Sequence, residues 1–216
     1  MLVILLLPRE KKGKEVSALP KVSIGKTIAA LVQNKPLLLY VCGNTVLFGV
    51  NQMVTIFLVQ LCYAQVDIPL SMFGFPFLLL VGISSAFSLL SAPFTTRLGA
   101  FPATVVAFML SFVGLLLLSS LQGVVFVLVG AVLIRLGSVL VQPLYFSVTA
   151  KVSEGSDLAT SLSLNSLFGT CIELLLTLAL GYLAGRDLVL SLQIAGGMLL
   201  FALWSIYYGR SILQGL

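Results

Sequence analysis

The sequence predicts an all-α membrane protein with six transmembrane helices, and three observations carry that prediction. Six apolar stretches, residues 36–63, 69–95, 101–120, 124–150, 158–184 and 188–208, fill nearly all of the chain after Lys35. Hydrophobic residues make up 59% of the chain and charged residues only 9%, against about 25% charged in a typical soluble domain. The basic residues gather in alternate loops instead of forming a face. Each stretch holds about 20 residues or more, enough to cross a hydrocarbon core of about 30 Å as a helix. With so few charges, a soluble fold of 216 residues could not solvate its surface.

The chain divides at residue 35. Residues 1–7 are apolar but too short to span, and Pro8 and a basic segment follow at once. The charged leader and small-residue cleavage site of a signal peptide are missing. The run reads as the cytoplasmic end of a preceding transmembrane helix, so the chain is expected to be the back part of something longer. In residues 23–34, Ile24, Ile28, Leu31 and Val32 recur at helical spacing behind a possible Ser23 cap, and Pro36 marks the next boundary. With Lys21, Lys26 and Lys35 around it, this segment suits either a helix on an anionic cytoplasmic leaflet or an amphipathic linker packed on protein.

Residues 36–216 form the expected bundle. The first stretch clusters Asn44, Asn51, Gln52 and Thr55 on one face. The second carries a ridge of small residues, Gly82, Ser85, Ser88 and Ser91, suited to close helix contact. The third has no charge. In the fourth, Arg135, Ser138, Gln142, Tyr145 and Thr149 make a polar stripe, since seven residues advance almost two turns. The fifth repeats the pattern with Ser166, Thr170, Glu173 and Thr177, has Asn165 beside them, and ends in Gly181-x-x-x-Gly185. The sixth closes on Trp204, Tyr207 and Tyr208. With Tyr40 and Tyr63 of the first stretch, these aromatics look like interface anchors.

Several function classes are excluded or disfavoured. The net charge of +5 is no nucleic-acid footprint, because the basic side chains lie in loops. Without histidine there is no Ser-His dyad, no H-E-x-x-H zinc site and no His-ligated haem, and no phosphate-binding G-x-x-x-x-G-K-[ST] loop occurs. Cys42, Cys62 and Cys171 are an odd set in apolar surroundings and read as packing residues. The chain is therefore expected not to be an enzyme, and to need neither metal nor cofactor.

Orientation follows from the loops. Arg9, Lys11, Lys12, Lys14, Lys21, Lys26 and Lys35 precede the first stretch, and alternate loops then hold Arg97, Lys151 and Arg210. The opposite loops, 64–68, 121–123 and 185–187, offer only Arg186, next to Asp187. This bias puts both termini in the cytoplasm.

Arg135 and Glu173 are the only charged residues deep within the stretches. A charge at a helix centre costs about 2.5–3.5 kcal/mol on insertion scales, so it usually pairs or lines a wet cavity. Counted from the ends of their stretches, both lie roughly 17 Å deep at 1.5 Å per residue. Equal depth lets them face each other, either as a pair that opens or exchanges a proton, or as a permanent tie between helices. The larger polar groups Asn51, Gln52 and Gln142 are costlier to bury than Ser or Thr, and are candidates to face a cavity with Asn44 and Asn165.

The segment Ala92-Pro93-Phe94-Thr95-Thr96-Arg97-Leu98-Gly99 is similar to the second copy of the G-x-x-x-D-R-x-G loop of the major facilitator superfamily. Arg97 and Gly99 match. Ala92 replaces the first Gly and Thr96 the Asp, so an Asp-based salt bridge does not carry over. Gln142-Pro143-Leu144-Tyr145, residues 159–169 and Gly181-Tyr182-Leu183-Ala184-Gly185 resemble the helix ten–eleven region. Over essentially its whole length the chain resembles the C-terminal half, helices seven to twelve, of such a transporter.

The resemblance implies two inverted three-helix repeats, 36–120 and 124–208, whose first and fourth helices turn toward a central cavity. It implies a small-molecule substrate near the bilayer midplane, alternating access, and an N-terminal six-helix half as missing partner. The expected protein is thus half of a multi-pass secondary transporter of the cell membrane, carrying a small organic solute with proton coupling. The rival class is a non-transporting six-helix scaffold that binds a partner protein.

Overall fold

The structure, a computed structural model, describes residues 35–152 and 158–211, and for residues 151–165 no side chain except that of Ser163. The short apolar run, the helix expected at 23–34, and the side chains of Lys151 and Asn165 lie outside the described residues. Within them the fold is all-helical, without a strand. Helix α1 (Lys35–Met53) passes through a π-helical turn (Val54–Leu58) into α2 (Val59–Gln65). A 3₁₀ turn (Leu70–Met72) leads to α3 (Gly74–Ser88) and the short α4 (Ser91–Leu98). Then come α5 (Ala100–Ser120), α6 (Val124–Val152), α7 (Leu158–Ala184) and α8 (Leu188–Tyr208). Six spans are long and apolar enough to cross a membrane: Lys35–Gln65, Leu70–Ser88, Ala100–Ser120, Val124–Ala150, Ser166–Ala184 and Leu188–Tyr208.

The second span stops earlier than its apolar run. Pro93 has no N–H to offer the carbonyl four residues back, that of Leu89. The helix breaks there, with turns at Leu89–Leu90, and restarts at Ser91, whose hydroxyl donates to the Ser88 carbonyl at 2.7 Å. Gly99 then separates α4 from α5 at φ +85°, a backbone conformation that side chains rarely adopt. At the other end of the bundle Asp187 caps α8 by accepting the Leu190 N–H at 3.0 Å.

Helices α5 and α6 make the tightest contact. A Cβ on Gly114 would meet the Gly130 carbonyl at 2.6 Å, and one on Gly130 would meet the Gly114 carbonyl at 2.7 Å. Gly137 likewise has no room for a side chain against Ser111 and Ala107. The small-residue ridge expected on the second span does not do this job. A Cβ at Gly82 meets nothing within 4 Å, and Ser85 and Ser88 are exposed. Gly181 touches only the end of Met53, and Gly185 only its own helix. Close approach instead uses isolated glycines, with Gly114 and Gly130 facing each other across α5 and α6 and Gly43 of α1 set against Ala202 and Ile206 of α8.

The first span is the axis of the bundle. It packs on α7, α8 and α6, α5 packs on α8, and α3 and α4 lie against α6. Tyr40 and Tyr63 are buried within this packing, at 0% and 2% exposure, and are not interface anchors. Trp204, Tyr207 and Tyr208 are exposed at the end of α8.

Candidate functional site

The polar groups of the first and fourth spans meet at one junction. Asn51, 2% exposed on α1, donates through Nδ2 to the Ile134 carbonyl on α6 at 2.6 Å. Its Oδ1 accepts from Arg135 Nη1 at 3.2 Å. A single amide therefore clamps a backbone carbonyl with one end and a guanidinium with the other. The Ile134 carbonyl also faces the Ser111 hydroxyl of α5 at 3.4 Å, and that hydroxyl donates to Ala107 of its own helix at 3.0 Å. Three spans thus converge on one peptide group, and the missing side chain of Gly137 leaves the space in which Ser111 sits.

The π-helical turn begins three residues past Asn51. Thr55, buried, donates its hydroxyl to the Asn51 carbonyl at 2.7 Å. A threonine bonded back to the preceding turn loosens regular helix, and π turns inside α-helices recur at functional sites. One interruption and one clamp therefore share Asn51. Nothing in the apolar pattern of residues 36–63 signals the π turn.

Arg135 and Glu173 do not form the expected pair. Among the described residues Arg135 has no carboxylate partner and turns to Asn51. Glu173 lies on the other side of α1, where a Cβ on Gly49 would meet its Cγ at 3.2 Å and the Leu176 side chain at 2.8 Å. Positions 49 and 51 are about 200° apart on a helix of 3.6 residues per turn, so α1 stands between the two charges. Helix α7 packs on α1 and α8 and barely meets α6. Glu173→Gln is accordingly expected to change unfolding stability by no more than about 0.5 kcal/mol. Its effect should add to that of Arg135→Gln within about 0.5 kcal/mol. Denaturant unfolding of the single and double variants checks both, and a larger coupling would restore the pair.

The other candidates fall into three groups. Asn44 is fully buried and donates Nδ2 to the Tyr40 carbonyl at 2.9 Å, while its Oδ1 and the Tyr40 hydroxyl have no partner among the described residues. Tyr145 of α6 stacks edge-on to Phe48 at 5.3 Å and lies 6.3 Å from Tyr40, so this end of the α1–α6 contact is aromatic. Gln52 and Gln142 are exposed, as are Ser166 and Thr170. Gln52 therefore leaves the buried face that Asn44, Asn51 and Thr55 share. Arg97 is exposed on α4 beside Gly99. No cluster of three or more metal-ligating side chains occurs among the described residues.

No protein-family model, curated protein or solved structure matches the chain.

Proposed function

We infer that the chain is one half of a secondary transporter of the major facilitator type, forming one wall of a pathway for a small solute. The observation that carries this reading is the junction at Asn51. A guanidinium sits midway along the fourth span, held by a neutral amide next to an interruption in the first span. Such an arginine keeps its charge available to an anionic group, and a half-buried ionisable residue without a countercharge among the described residues is costly to keep for scaffolding alone.

The burial of the spans supports two three-helix repeats. Within an 18-residue apolar stretch of each span, 61% and 56% of residues are buried in the first and fourth, 17% and 6% in the second and fifth, and 44% in each of the third and sixth. Equivalent helices of two repeats would have matching burial. The first and fourth spans also each carry an irregularity past their middle, the π turn and Pro143, as in transporters with interrupted helices at the site. With the basic loops facing the cytoplasm, both termini lie there, and the second six-helix half covers the exposed Gln52 and Gln142 in the cell membrane.

Thiol accessibility tests this. In the polypeptide at the length the cell makes it, with Cys42, Cys62 and Cys171 replaced by alanine, Gln52→Cys and Gln142→Cys are expected to react with a membrane-impermeant maleimide. Gln52→Cys should be reached from either side of the membrane, because alternating access opens the midplane to both. Leu116→Cys, exposed on α5, should stay unlabelled in lipid. Labelling from one side only, or from neither, would favour the scaffold reading.

A further inference from the structure

We propose that the end of α8 binds an anionic phospholipid, with the headgroup phosphate at Arg210 and the acyl chains on an aromatic ridge below it. Contacts on either side of α8 build the site. Gly209 has no room for a side chain, since a Cβ there would meet the Pro36 carbonyl at 2.7 Å. Arg210 and Lys35 therefore each stand next to a residue of the same close contact. On the other side the Tyr207 ring meets Phe101 of α5, with centroids 6.2 Å apart. The Arg210 guanidinium carbon lies 4.5 Å from the Tyr207 centroid, so the charge is held over a ring that itself rests on a neighbouring helix.

Charge and shape together specify the occupant. Lys35, Arg97 and Arg210 are exposed at the same end of the bundle, and Arg97 precedes Phe101 by only four residues. The carboxylates among the described residues lie elsewhere: Asp67 and Asp187 in loops at the opposite end, Glu173 midway along α7. Like charges on one rim without a described countercharge favour an anion, and disfavour a headgroup that carries its own ammonium. Basic pockets between transmembrane helices bind anionic headgroups, and a guanidinium can donate two parallel hydrogen bonds to a phosphate. Below Arg210, the rings of Tyr208, Trp204 and Phe201 follow one another at 4.7 and 5.7 Å, each more than half exposed. At 1.5 Å per residue this ridge runs about 10 Å along the helix, the depth of the glycerol and upper acyl chains of a lipid in that leaflet. A soluble anion would use the cations and leave the ridge uncovered.

The site stands apart from the transport reading, because lipid binding is measured without flux. Trp204 is the single tryptophan of the sequence, and subtracting the Trp204→Phe variant isolates its emission. The probes are phosphatidylglycerol and phosphatidylcholine with brominated acyl chains, each added at low mole fraction to nanodiscs of unbrominated phosphatidylcholine. Brominated phosphatidylglycerol should quench Trp204 as if enriched about tenfold over brominated phosphatidylcholine. Arg210 is exposed, so Arg210→Gln should fold normally, and it should lower the preference about fivefold, the effect of one cation near a membrane surface. Tyr207→Leu keeps every charge but removes the ring beneath the guanidinium, and should lower the preference about threefold. Equal quenching by the two lipids in the native protein would overturn the site, as would a preference that survives Arg210→Gln. A preference lost in Arg210→Gln but unchanged in Tyr207→Leu would mean diffuse attraction to a basic surface. One abolished by millimolar inorganic phosphate, but not by chloride at equal ionic strength, would assign the cations to a soluble anion, and either result overturns the proposal.

Discussion

Gly114→Ala and Gly130→Ala are each expected to destabilise the protein by about 1–3 kcal/mol, the range for forcing extra atoms into a packed contact. At each position the new methyl group meets a backbone carbonyl across the interface, at 2.6 and 2.7 Å, and a backbone cannot swing aside as a side chain can. Helices α5 and α6 would have to separate, loosening the Ser111 and Ile134 contacts about one turn away. The two losses should not add. Once the first methyl has parted the helices the second finds space, so Gly114→Ala/Gly130→Ala should cost less than the sum of the single variants. Gly82→Ala, at a site with open space, is the matched control and should be neutral or slightly stabilising, since alanine favours helix. Denaturant unfolding in lipid nanodiscs measures all four. A neutral Gly114→Ala would mean that these helices do not touch as described.

Asn51→Leu carries the second large effect, and it reverses the sign of the effect of Arg135→Met. The substitution removes the amide that joins the Ile134 carbonyl to the Arg135 guanidinium. The carbonyl keeps its place in the helix, whereas the guanidinium loses its partner, at a cost of about 1–3 kcal/mol. Arg135→Met alone removes the charge but frees Asn51 Oδ1, a smaller penalty for a neutral acceptor. In the Asn51→Leu background Arg135→Met should therefore be stabilising, while in the native background it should not. A double-mutant cycle reads this directly, and coupling below about 0.5 kcal/mol would dissolve the junction. In the transport reading, each single variant and the double variant should also lose uptake, because the charge is needed as well as the fold.

The spans were legible because length and apolarity are local properties. The runs at 124–150 and 188–208 match Val124–Ala150 and Leu188–Tyr208, and the first is off by one to two residues at its ends. Asn51 and Arg135 were also legible as polar groups that lipid would not accommodate, but that they meet each other was not. What failed was partner choice. Matching Arg135 with Glu173 used depth alone, and depth says nothing about direction around the helix axis, which puts Gly49 and Asn51 on opposite sides of α1. Small-residue packing failed for a related reason. Gly82 and Gly114 look alike in sequence, and only the neighbouring helix, with Gly130 in register, makes one a contact and the other a bare surface. Tyr40 and Tyr63 were misread because an aromatic near a span end suits the interface and the core equally.

Three residues, 121–123, join α5 to α6, with Leu121 in the left-handed conformation at φ 48°. A connection that short, between helices that touch backbone to backbone, makes the pair a hairpin during biosynthesis: α5 cannot settle in lipid far from where α6 must emerge. Arg135 then enters as part of a largely apolar two-helix unit, and its own insertion cost of about 2.5–3.5 kcal/mol is spread over both helices. Translation runs from the N-terminus, so Asn51 is already in the bilayer when Arg135 leaves the ribosome. The amide waits for the charge, and the order of the gene sets the order in which the junction is assembled.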